Sequence, residues 1–155
     1  MSIGEAFLDF TSFGTINLLL EEYTNVDKIF GGLTFTSIPT GQFVFAEDAR
    51  GRPDTVFWEY VLSARQANQM FGKKKLPDSV KKCIKDKPDE KFVFVRVVLP
   101  REEYKRGSIH VMDKPFAAVD IHLDSRSVVR ESGFDELPYT IGRFEKASGE
   151  LWGRS

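Results

Sequence analysis

The 155 residues fit one domain whose folding would bury about two-thirds of the surface of the unfolded chain. Hydrophobic residues make up 41% and aromatics 13%, with fourteen Phe, which excludes wholesale disorder and favours half-buried sheet surfaces. Twenty-two Lys and Arg against 23 Asp and Glu leave a net charge of −1, which excludes attachment to DNA through a global basic field.

In chain order, Ile3, Ala6, Phe7, Phe10 and Phe13 share one helical face, with Ser2 as N-cap, Glu5 as its box partner and Gly14 as the stop. Thr15–Tyr23 reads as a strand, and the run Leu18, Leu19, Leu20 predicts burial on both of its faces. Leu33–Ile38 and Gln42–Ala46 are strands separated by the turn residues Pro39, Thr40 and Gly41. Glu47–Asp54 is a polar hairpin connection. Thr55–Leu62 alternates, with Val56, Trp58, Tyr60 and Leu62 on one side.

Ser63 and Gln66 form a capping box that opens a short helix to Phe71, closed by Gly72. Lys73–Lys75 is a solvated linker before a second short helix at Leu76-Pro77, with Val80, Cys83 and Ile84 as its apolar stripe. Phe92–Leu99 is so continuously apolar that it predicts a central strand. Residues 100–113 are charged and irregular. Phe116–Leu123, Ser127–Ser132 and Tyr139–Phe144 then complete a run of antiparallel strands. Trp152 lies in a Gly-containing tail, where it either packs on the sheet or needs cover from further sequence. The expected fold is α+β: a mostly antiparallel sheet or partly open barrel with a few short flanking helices, forming a single domain over 1–155.

Chemistry finds little to stand on. Asp120 and His122 fall on the same face of a strand and could orient a base or hold a metal, but without a third ligand they read as a polar edge of an outward-facing sheet surface. Cys83 reads as a packed thiol on an apolar stripe, and a lone cysteine excludes an internal disulfide. Glu47, Asp48 and Asp54 invite a hard cation, yet Arg50 and Arg52 compete for the same carboxylates, so a turn stitched by Arg–Asp pairs is expected. The Lys and Arg clusters at 73–75, 81–87 and 101–106 are interleaved with acids and read as a mixed solvated surface. No catalytic residue, cofactor or metal is expected. Met1–Phe13 carries no secretory signal and no apolar run is long enough to span a bilayer, so synthesis in a cytoplasm is expected.

Several segments together resemble a known family. Gln42-Phe43-Val44-Phe45-Ala46-Glu47-Asp48-Ala49-Arg50-Gly51-Arg52-Pro53-Asp54-Thr55-Val56, then Leu62–Ala67, Phe71-Gly72 and Leu76-Pro77, are similar in order and spacing to podovirus-type head-to-tail connecting (portal) proteins. Phe13-Gly14-Thr15 upstream, and Glu131–Phe134, Pro138-Tyr139, Arg143-Phe144 and Gly149–Ser155 downstream, extend the resemblance over most of 5–155. Phe144 stands where the family has Trp, and Trp152 where it has Tyr. The resemblance marks Gly14, Asp48, Arg50, Gly51, Asp54, Gly72, Pro138, Arg143, Trp152, Gly153 and Arg154 as structural motif residues. It implies a virion protein made in the bacterial host cytoplasm, the N-terminal part of a portal wing without stem, clip or crown, and thus an excised or truncated piece. It further implies a homo-oligomeric ring, generally of twelve, in the full-length protein, with the capsid shell, packaging motor and tail adaptor as partners. No membrane and no specific nucleic acid are expected as partners of the fragment, which alone should be monomeric or weakly associated. A small β-rich module binding peptide or nucleic acid is the competing reading, and a hydrolase built on Asp120, His122 and Asp124 a third.

Overall fold

The computed structural model describes residues 3–24 and 30–154. The Ser2 cap, and with it the capping box to Glu5, lies outside the described residues. The chain divides into two compact units, 1–54 with 137–155, and 55–136.

In the first unit, helix α1 (Ile3–Phe13) precedes strands β1 (Thr15–Thr24), β2 (Phe30–Ile38) and β3 (Phe43–Glu47), and the chain returns as β8 (Tyr139–Arg143). Gly14 ends α1 with φ of 70°, a left-handed turn that a side chain would oppose. The antiparallel sheet runs β2-β1-β8. Leu20 stands opposite Phe35 and Glu22 opposite Leu33 on one flank of β1, and Asn17 opposite Ile141 on the other. Burial along β1 alternates. Thr15, Asn17 and Leu19 are buried, whereas Leu20 is 37% exposed, so the expected burial on both faces does not occur. The leucine run instead divides between a covered face and one that α1 shields only in part: Phe10 and Ile16 crowd over Gly142, beyond which Leu20 and Phe35 reach solvent.

In the second unit, β4 (Pro53–Ser63, whose first two residues belong to the first unit) leads to α2 (Ala64–Phe71), a 3₁₀ turn (Lys73–Lys75) and α3 (Asp78–Asp86). Strands β5 (Lys91–Pro100), β6 (Phe116–His122) and β7 (Ser127–Phe134) follow, with a second 3₁₀ turn at Val111–Asp113. The segment expected as a plain linker at Lys73–Lys75 is thus helical, though unburied. Strands β4 to β7 pair antiparallel in chain order, which puts β5 centrally, as its composition predicted. β8 does not extend this run. It pairs with β1, because Tyr139 and Ile141 complete the buried flank of that strand. The fold is α+β with open antiparallel sheets, not a closed barrel.

The core of the second unit joins Tyr60, Phe94 and Val129 of the sheet to Ala64, Ala67 and Phe71 of α2, Leu76, and Val80 of α3. Trp58, Phe92, Cys83 and Ile84 pack around it. Aromatic rings stack through this layer, with centroids 4.8 Å apart for Trp58–Tyr60 and 5.4 Å for Phe71–Phe94. On the opposite face of the same strands, Phe57 and Val61 are exposed and Val93, Val95 and Val97 only half-buried.

Helix α2 is anchored as its sequence predicted. Ser63 Oγ accepts from Gln66 N–H, and the Gln66 side chain accepts from Ser63 N–H at 2.8 Å. Replacing Ser63 with Ala should lower the stability of the protein by about 1 kcal/mol in urea unfolding, the usual size of a lost N-cap. An unchanged midpoint would show that α2 is held by its apolar face alone.

Candidate functional site

Two polar assemblies stand out, one buried in the second unit and one partly buried in the first. In the second unit the centre is Asp120, whose side chain is 1% exposed. Its Oδ1 accepts from Tyr60 Oη at 2.7 Å and Arg96 Nε at 2.9 Å, and its Oδ2 accepts from Arg130 Nε at 2.7 Å. Strand register produces this directly: Arg96 faces Asp120 across β5–β6, and Asp120 faces Arg130 across β6–β7. The guanidinium of Arg96 also lies 5.7 Å from the Trp58 ring, and that of Arg130 lies 5.2 Å from Phe71. Burial, then the Asp120 charge, pushes the Tyr60 hydroxyl far above its ordinary range, so it serves as a permanent donor.

His122, 1% exposed, sits beside Phe92 and Phe94. Its Nδ1 accepts from Ser125 N–H at 3.3 Å and contacts Ser125 Oγ at 2.7 Å. Because Nδ1 accepts a backbone N–H, the neutral ring carries its proton on the buried Nε2, which has no partner among the described residues. Burial lowers the pKa of His122 below 6.5, against a smaller opposing pull from Asp124. Asp120 and His122 therefore do share a face, but the expectation of an outward-facing polar edge fails: this is the face the helices cover. Asp120 is committed to two arginines and His122 to a serine turn, so they do not form a base dyad. His110 is on an exposed loop. Among the described residues, no three His, Cys, Asp or Glu side chains gather to hold a metal ion.

In the first unit the centre is Glu47, at the end of β3. It accepts from Arg143 Nη1 and from Lys146 Nζ, the latter at 2.8 Å. The same Arg143 nitrogen donates to the Leu151 carbonyl at 3.2 Å, and its guanidinium lies 5.8 Å from the Phe45 ring. Trp152 packs on Phe43 and Phe45, with centroids 5.5 and 5.1 Å away. Of the two fates open to this residue, packing is the one observed. Gly153 N–H donates to Thr15 Oγ1 at 2.9 Å, and a Cβ at Gly153 would collide with the Gly14 carbonyl oxygen, so only glycine fits. Arg154 bridges back to Glu145 by its backbone and to Glu150 by its side chain.

These contacts gather many of the residues singled out from sequence. Gly14 accepts from Phe144 N–H through its carbonyl, Pro138 accepts from Leu20 N–H, and Arg143, Trp152, Gly153 and Arg154 hold the tail. Asp48, Arg50 and Gly51 form the adjoining turn. Asp48 Oδ1 accepts from the amides of Arg50 and Arg52, and its Oδ2 from the Arg52 guanidinium at 2.9 Å. The expected Arg–Asp stitching is present for Arg52, whereas Arg50 contributes only its amide. Asp54 opens β4 half-buried, and Gly72 ends α2 with φ of 78°. Glu47, the carboxylate that joins turn to tail, reads from sequence only as part of the polar turn, where a hard cation is the weaker alternative. Arg96, inside the apolar strand β5, and Arg130, in β7, each opposite Asp120, carry no mark in the sequence reading.

Asp120→Ala should cost roughly 3–5 kcal/mol in urea unfolding, because a buried ion pair is broken from one side. A loss below about 1 kcal/mol would mean the cluster is incidental. A pH experiment addresses the tail. Lys146, then Arg143, holds the Glu47 carboxyl below its ordinary value of 4.5. A depressed carboxyl stabilises the fold above its unfolded pKa and ceases to do so as pH falls through the folded one. Amide exchange at residues 150–154 should therefore accelerate as pH drops below 4.5, beyond the intrinsic change, and Glu47→Gln should reduce that dependence to the part set by Glu150, which Arg154 also holds below 4.5.

The family described as bacteriophage head to tail connecting protein matches residues 1–155. A portal protein of Salmonella phage epsilon15 is 30% identical over 120 residues, which covers 76% of this chain. The matched stretch is 22% of that portal protein, so the chain corresponds to about a fifth of its length.

Proposed function

The chain belongs to the bacteriophage head-to-tail connecting protein family, and on that ground we propose that it works as a structural part of a portal ring at a capsid vertex. DNA would pass through that ring during packaging and ejection. Within such a subunit the chain supplies a wing-like α+β portion over 1–155, carried in the virion after synthesis in the host cytoplasm. The full-length protein assembles as a homo-oligomer, of about twelve copies by the resemblance, against capsid shell, packaging motor and tail adaptor.

The observation that carries the reading is the family match across the whole chain, joined to what its motif residues do here. Arg143, Trp152, Gly153 and the Asp48–Arg52 turn are used to fix one segment of backbone against another. Such use suits a stiff building block. The buried Asp120 cluster has the same character, since Tyr60, Arg96 and Arg130 each spend a donor on Asp120 and tie neighbouring strands together. We therefore read the chain as structural and not enzymatic, and the small binding-module reading gains nothing from these arrangements.

Expressed within a subunit of the length of the epsilon15 portal protein, the chain should enter a ring whose mass is read by light scattering. The 155-residue chain alone should remain monomeric or weakly associated at micromolar concentration. A stable dodecamer of the short chain would refute this division of contacts, and failure of the long chain to form any ring would refute the portal reading.

A further inference from the structure

The near-zero net charge conceals an uneven division. The first unit carries ten Asp and Glu against six Lys and Arg, whereas the second carries sixteen Lys and Arg against thirteen Asp and Glu. In each unit a charged side chain of the prevailing sign stands beside exposed apolar ones. On the first unit, Leu20, Leu33 and Phe35 are 37%, 51% and 50% exposed, and the exposed Glu22 is opposite Leu33 on the same sheet face. The first 27 residues contain five carboxylates and no Lys or Arg.

On the second unit a shallow groove is lined by Val111, Met112 and Val128, each about half exposed, together with Lys75 and Arg130. Glu131 is the carboxylate in that lining. Arg130 is held in place by its Nε bond to Asp120 and by the Phe71 ring, which leaves the rest of its guanidinium at the groove with the side chain 30% exposed. Lys75 stands at the end of an exposed run of three lysines. An immobilised cation beside an apolar floor suits an acidic, apolar partner surface, because little side-chain entropy remains to be lost.

We propose that the acidic apolar face of the first unit, around Leu20, Glu22 and Phe35, docks on the Lys75–Arg130 groove in the second unit of another copy of this chain. The contact joins two different surfaces, so it is heterologous, the type that runs from copy to copy and closes when the rotation allows. Charge complementarity selects this pairing over either face meeting its own kind, where like charges would be brought together. The inference takes from the portal reading only that copies of the chain meet.

Cysteine cross-linking tests it. On a Cys83→Ala background, Leu33→Cys and Met112→Cys replace side chains that are each 51% exposed, so the fold is spared. Under mild oxidation at low salt, the mixture of the two proteins should form disulfide-linked dimers about fivefold faster than either alone, and salt should erase the difference. Adding Lys75→Glu to the Met112→Cys protein should slow the mixed reaction about threefold, the scale of an exposed ion pair, and Glu22→Lys in its partner should restore it. Equal rates in mixed and single samples, or no rescue by the charge swap, would overturn the proposal. Light scattering on the longer subunit without oxidant separates the two failures. A ring accompanied by equal cross-linking rates refutes these faces and leaves the portal reading intact, whereas absence of a ring refutes the portal reading whatever the cross-linking shows.

Discussion

A single buried carboxylate sets the geometry of the second unit. A carboxyl group buried inside a sheet is costly unless donors reach both of its oxygens, and the donors to Asp120 come from β4, β5 and β7. Four strands are thereby tied to one register. A slip of one residue on any of them would send its donor to the opposite face and leave the charge without it. Apolar contacts tolerate small displacements, but this arrangement does not. The cluster thus acts less as a source of net stability than as a selector of one strand alignment.

The first unit applies the same principle to a segment without regular structure. Residues 145–154 have no ladder of their own beyond the single bridge from Glu145 to Arg154. They are held by Glu47 through Arg143 and Lys146, by an aromatic layer under Trp152, and by a glycine small enough to lie on the Gly14 carbonyl. These groups come from stretches far apart in sequence: Gly14, strand β3 with Phe43, Phe45 and Glu47, and residues 143–153. Gly14, Arg143, Trp152 and Gly153, all marked by the family resemblance, therefore meet through backbone docking and not through a cleft.

Local signals were legible and distant ones were not. The alternation of Val56, Trp58, Tyr60 and Leu62 declared the inner face of β4, and the Ser63–Gln66 box marked the start of α2 to the residue. Tyr139–Phe144 also read correctly as a strand, but its partner did not: pairing with β1 spans most of the chain, and no periodicity encodes it. The failure at Asp120 and His122 has another cause. Polar residues at alternate positions ordinarily mark a solvent face, yet Ala118 shares theirs and is buried. Arg96 within the apolar run Phe92–Leu99 was the available signal, because an arginine on the inner face of a central strand requires a carboxylate on a neighbour. The double-sided apolar character of β5 was likewise only half explained, since its second face stays partly open within the second unit.

The docking of Gly153 has a mechanical meaning. A pull applied at residue 154 would meet its bonds to Glu145 and Glu150 and then reach Thr15 and Arg143, because Gly153 is bonded to the first residue of β1 and Leu151 to the last residue of β8. Thr15 and Arg143 are themselves cross-strand partners. Tension would therefore enter both strands at one rung of the ladder and spread along it, and the Glu47 ion pairs would have to yield before the sheet bore the full load.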